Sequence, residues 1–306
     1  MVEGGLIGKA KLGKGGILVN VFQLRFEERQ LTRNDAKLKR FSKDLSKAGS
    51  KHRIEKIKKD MDGVNKAAKL CADNSYKLVM HDLIILGTLI AEIKQVINYN
   101  KELSKTNKEN KGLLNYNKQL EGTFKTLSTD FQKLQRQLFA LEKEANDKTA
   151  IAMETQWRGK FNIAVLNFFA MRGETNDIRK DITEIIDKGD FVEKAYQDFK
   201  NKKLTKEEWS KMVKMEMRLV KLSRDCAEKM IDLFLRDNYI LHTVLVTLEL
   251  GEKIDQKFAE EHEIPLVMSS VDKETKERIR NGIGGPNGQV VNERKALNQL
   301  NARLAA

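Results

Sequence analysis

The stretch NKGLLNYNKQLEGTFKTLSTDFQKLQRQLFALEKEA, residues 110–145, decides the fold. Leu113, Leu120, Leu127, Leu134 and Leu141 recur every seven residues, and Asn117, Phe124, Phe131, Leu138 and Ala145 fall between them. With the leucines at d, the interleaved set and Asn110 take the a positions of a heptad, the spacing at which helices pack along a seam. A strand would instead alternate at every second residue. Gly112 and Gly122 weaken a helix by about 1 kcal/mol each relative to Ala, which the regular spacing outweighs.

The same steps of three and four continue on either side. Upstream, Leu38, Phe41, Leu45 and Ala48 form one stripe, and after Gly49-Ser50 it resumes at Ile54, Ile57, Met61, Val64, Ala68 and Cys71, running to about Ile97. Asn34 reads as the N-cap, and breaks are expected at Gly63 and at Asp73-Asn74-Ser75. Downstream, register is lost around Asn146-Asp147. It returns at Trp157, Phe161, Ala164, Phe168, Met171, Thr175, Ile178, Ile182 and Ile185, with Gly189 as the expected stop. A short piece carrying Phe191, Ala195 and Phe199 then leads to Thr205-Lys206-Glu207-Glu208, a capping box. The helix it opens carries Met212, Leu219, Leu222, Cys226, Met230, Leu233, Ile240, Val244 and Leu248, and is expected to run to about Glu261. No proline interrupts any of this before Pro265, and long helices exclude proline because it removes a donor and clashes with the preceding turn.

The fold class that follows is all-α: an elongated antiparallel helical bundle or coiled coil of three to four long helices. Three segments are expected. Residues 1–33 form a Gly-rich, basic and apolar N-terminal segment, within which ILVNVFQLRF (residues 17–26) reads as a short strand or as an apolar piece packing elsewhere. Residues 34–262 form the long-helix bundle. Residues 263–306 form a flexible C-terminal tail with short helices, one of them carrying Leu297, Leu300 and Leu304.

Composition narrows the function classes. At 33% charged and 40% hydrophobic over 306 residues, the chain is too apolar for wholesale disorder and too charged for a thick globular core. A net charge of +13 favours anionic partners without choosing between phosphate and lipid. Two cysteines in helical patterns read as packing residues in a reducing, cytoplasmic setting. The apolar run Leu83–Ala91 is too short to span a bilayer, which needs about 20 residues.

Catalytic and ligand motifs are weak. Gly8 to Gly15 has the spacing of a phosphate-binding loop, but Gly15 stands where the magnesium-binding hydroxyl belongs and no strand precedes it. Gly282, Gly284, Gly285 and Gly288 fail for the same lack of a strand. None of His52, His81, His242 and His262 has Glu three residues before it, so the Glu-x-x-His pairs of bundle metal sites are missing. His81 beside Asp82 and His242 read as structural. No catalytic residue, metal, cofactor or small-molecule substrate is expected.

Charge is the better lead. Between Arg33 and Lys59 stand eleven Lys and Arg against three acids. Arg33, Lys37, Arg40, Lys47 and Lys51 share one helical side away from Leu38, Phe41 and Leu45, with Lys43 in the same run, and these are the candidate anionic-surface residues. A second run, Lys200 to Arg224, holds nine basic residues and three acids. The candidate packing or self-association seam is Leu113, Leu120, Phe124, Leu127, Phe131, Leu134, Leu138 and Leu141. Residues 1–26 have the composition of segments that insert shallowly into lipid headgroups, or of a strand or tail at the bundle surface. The expected function is a non-enzymatic coiled-coil scaffold that forms homo-oligomers and sits peripherally on an anionic membrane. A nucleic-acid-associated structural protein, and a helical-bundle enzyme or cofactor carrier, are the alternatives.

Overall fold

A computed structural model describes residues 16–45, 51–143, 168–261 and 291–305. Some side chains within these spans, Lys43, Lys51 and Leu141 among them, lie outside the description, as do residues 1–15, Lys47, the expected turn at Asn146-Asp147, Trp157 to Ala164 and the glycines of 281–288. Among the described residues the secondary structure is entirely helical: α1 Gly16–Leu45, α2 Lys51–Thr106, α3 Lys111–Lys143, α4 Phe168–Phe199, α5 Lys206–Glu261 and α6 Val291–Ala305.

Helix α2 is the axis of the molecule. From Leu78 to Ile93 every residue is buried, as expected of a helix that is apolar all round. The other helices supply the cover. Asn20 meets His81 and Glu27 meets Lys77, so α1 runs antiparallel to α2. Phe131 lies against Gly87, and Lys101 pairs with Glu121, so α3 does the same. Asn100 meets Glu216, placing α5 along another side, and α4 lies antiparallel to α5 through Asp181–Lys229 and Glu174–Arg236. Tyr99 and Tyr196 stack with ring centroids 4.1 Å apart and join α2 to α4. At 56 residues each, α2 and α5 span roughly 84 Å at about 1.5 Å per residue.

Several expectations change. Residues 17–26 are not a strand but the first turns of α1. Ile17, Val21, Leu24 and Leu31 are buried against the core, and that spacing of four, three and seven serves a helix face, so packing on α2 overrides the β-branched composition. Asn34 is no cap: it lies buried inside α1, which crosses the expected boundary at 33/34. Helix α2 runs unbroken through Gly63 and Asp73-Asn74-Ser75; Asn74 and Ser75 are buried, and there a few tenths of a kcal/mol of unfavourable propensity per residue is small beside tertiary packing. Five helices of 30 residues or more are described, against the three or four expected.

Gly189 does not stop α4, which continues to Phe199 and absorbs the piece carrying Phe191. Its role is clearance, because a Cβ there would stand 2.9 Å from Glu92 Oε1. Residues 291–305 are not a free tail either. Leu297 and Leu300 are fully buried, Gln135 and Asn301 exchange two amide hydrogen bonds of 2.9 and 3.1 Å, and Lys94 donates to the last carbonyls of α6 at Arg303 and Leu304. At Gly87 the fit is closest, since a Cβ would run into Leu300 Cδ2 and stand 2.7 Å from Phe131 Cζ.

The turns are tied together. Asn107 donates to Leu103 and Lys202 carbonyls and accepts from Leu204 N, which clamps the α2–α3 turn to the α4–α5 turn. Asn110 accepts from Leu113 N at 3.1 Å and so caps α3 rather than entering the seam. The capping box at α5 is complete: Thr205 Oγ1 accepts from Glu208 N, and Glu208 Oε2 accepts from Thr205 N.

Candidate functional site

Helix α1 has two opposite faces. Ile17, Val21, Leu24 and Leu31 point into the core, whereas Arg29, Arg33, Lys37 and Arg40 are exposed. At about 100° per residue these four basic positions fall within an arc of about 80°. Of the candidate anionic-surface residues, then, Arg33, Lys37 and Arg40 share one exposed stripe, joined by Arg29. Lys43 is near the end of α1 and Lys51 opens α2. Toward the helix start the same arc is apolar: Val19, Phe22 and Phe26 continue it, with Phe22 53% and Phe26 55% exposed.

The leucine face is differently placed. Leu113, Leu120, Leu127, Phe131, Leu134 and Leu138 are buried in the common core, and Phe124 is half-buried against it. The chain's own helices, chiefly α2, fill this seam. On α5, Lys211, Lys214, Arg218 and Lys221 make a second exposed basic stripe, nearer the opposite end of α2 from the stripe on α1.

The core also contains ionisable groups that the sequence analysis did not single out. Arg236 is buried and donates through Nε to Asp237 Oδ1 at 2.7 Å. It reaches Glu28 Oε1 at 3.4 Å and pairs with Glu174. Thr175 Oγ1 donates to Glu28 Oε1 at 2.7 Å. Asp82 and Asp237 are 0% exposed. Neither oxygen of Asp82 meets a donor, nor does Asp237 Oδ2, and a hydrogen bond between the two carboxyls requires a proton shared between them. Burial first, then the facing Asp237 carboxylate, hold Asp82 well above the usual carboxylate range. Burial likewise raises Glu28 to about 8, with Asp237 adding to it and Arg236 opposing. Burial disfavours the Arg236 charge, but Asp237, Glu174 and Glu28 more than offset it and hold the guanidinium protonated.

Two further buried acids are Glu92 on α2 and Glu216 on α5. Burial, reinforced by Glu193 and Asp190, raises Glu92 to about 7. Glu216 accepts from Asn100 Nδ2 at 3.1 Å, and burial raises it to about 8. His81 Nδ1 lies 3.1 Å from Asn20 Oδ1, and burial lowers the imidazole to about 4. A sequence signal did exist: Glu28 and Glu216 occupy core-facing positions in stripes of apolar residues, where an acid is conspicuous. Among the described residues no group of three or more His, Cys, Asp or Glu could hold a metal ion.

These shifts set a pH dependence. Acids raised in the folded state bind more protons than in the unfolded chain between about pH 4.5 and 8, so stability falls as pH climbs through that window. His81, lowered when folded, acts oppositely between about 6.5 and 4. One histidine is outweighed by several acids, so urea midpoints should be higher at pH 5.5 than at pH 8. Glu28→Gln, Glu92→Gln and Glu216→Gln together should flatten the difference, each acid being worth about 1.4 kcal/mol per pH unit. An unchanged slope in the triple variant would contradict these assignments.

Compared with known proteins, the chain matches no protein-family model, no curated protein and no solved structure. No helix among the described residues is long and apolar enough to cross a membrane.

Proposed function

We propose that this chain is a non-enzymatic helical scaffold that docks the basic face of α1 on an anionic membrane surface. The supporting observation is the one-sidedness of that face: Arg29, Arg33, Lys37 and Arg40 stand exposed on one arc while the opposite side of α1 is fixed in the core. Burying α1 on one side pre-orients the guanidiniums, so docking orders only side chains and not backbone. The bundle of long antiparallel helices, elongated along α2, is the rod that carries this face. Because the leucine seam is filled from within, association between copies would fall to apolar residues left outside, such as Phe191 and Met217.

The test is co-sedimentation of the full chain with phosphatidylserine-containing vesicles and with pure phosphatidylcholine vesicles. Binding should require the anionic lipid. Arg33→Gln, Lys37→Gln and Arg40→Gln together should weaken it roughly 100-fold, taking about 1 kcal/mol per basic residue at the surface. Equal binding to both vesicles defeats the proposal. Salt-steep binding to duplex DNA with none to vesicles would favour the nucleic-acid alternative.

A further inference from the structure

Resting on that reading, we infer that Phe22 and Phe26 are a membrane wedge, inserted among the headgroups of an anionic bilayer while the arginines of the same stripe hold the phosphates. The two phenylalanines are more than half exposed, although ordinary packing hides such rings. They are one turn apart, and Val19 lies beside them on the same arc. Their neighbours along the stripe are Arg29 and Arg33, so apolar and cationic contacts share one line on a helix held flat against the core. That is the pattern of a helix lying in the plane of an interface, with rings below and guanidiniums at headgroup level. A nucleic-acid duplex would use the arginines but could take up the rings only by unstacking its base steps, at a free-energy cost for each step. A headgroup layer receives them without that penalty. The occupant is therefore a lipid headgroup layer.

The experiment compares the full chain with Phe22→Ser/Phe26→Ser and with Phe22→Trp/Phe26→Trp, using phosphatidylserine vesicles, phosphatidylcholine vesicles and a DNA duplex. Circular dichroism establishes that each variant is folded. The serine pair should lose roughly 10-fold or more in affinity for phosphatidylserine vesicles, from the transfer of two rings back to water. The tryptophan pair should bind at least as tightly as the parent, since indole favours the interface. Phosphatidylserine binding unchanged in the serine pair overturns the wedge and leaves the docking proposal intact. Failure of the unaltered chain to prefer phosphatidylserine vesicles overturns both. A serine pair that loses DNA binding in the same proportion also overturns the wedge, because its effect would then not be specific to lipid.

Discussion

Arg236→Leu should lower the unfolding free energy by about 3–5 kcal/mol at pH 7, the cost of breaking a buried ion pair by removing one partner. Arg236 is the cation among Glu28, Asp237 and Glu174, and Asp237 has no exposure through which to recover hydration. Without the guanidinium, which opposes the rise at Glu28 and Asp82, these two buried acids would be held still further above the carboxylate range. The loss should accordingly be larger at pH 8 than at pH 5.5. Adding Asp82→Asn and Asp237→Asn to the leucine variant should restore much of it, because neutral amides need no counter-charge. Urea denaturation followed by circular dichroism reads both variants against the unaltered chain. A loss below about 1 kcal/mol would mean that the cluster is open to water.

Phe131→Ala should cost about 3–5 kcal/mol, the range for truncating a fully buried aromatic. Phe131 is 1% exposed, and its ring fills the space above Gly87 together with Leu300. Emptying that space removes part of the seat on which α6 rests, so amide exchange across 291–305 should quicken more than exchange in α4. Gly87→Ala alone should also destabilise, since the added methyl meets both side chains below 3 Å. Combined with Phe131→Ala it should do less harm than the two separate losses predict, because Leu300 can then swing into the vacated volume. Additive losses would show that the three residues do not share one pocket.

How much of this was legible depends on sequence distance. The capping box at Thr205 and Glu208 and the heptad stripe from Leu113 are local patterns, and both are readable from spacing alone. Helix α1 was harder. Its inner stripe, Ile17, Val21 and Leu24, is obscured by Val19, Phe22 and Phe26 on the outer face, so residues 17–26 look apolar throughout and mimic a strand. The presumed breaks in α2 misled because the packing that sustains a helix is invisible in its own residues. Glu28 was readable as an acid within an apolar stripe, but its partner was not: Glu28 and Arg236 meet across 208 positions, and nothing local says that those two would become neighbours. The basic stripe was legible from Arg33 onward, whereas its extension through Arg29 to the two phenylalanines needed the helix to start at Gly16.

The all-round burial of α2 between Leu78 and Ile93 has a kinetic consequence. Ribosomes release this greasy segment well before α3, α4, α5 and α6 exist to cover it, and of the described helices α1 alone precedes it to shield one flank. Part of the cover around its end comes from as far as α6, where Lys94 donates to the Leu304 carbonyl 210 positions later, and such distant closures slow folding. Nascent chains should therefore engage chaperones around this segment, and refolding yield should fall steeply with concentration unless α6 is present to finish the assembly.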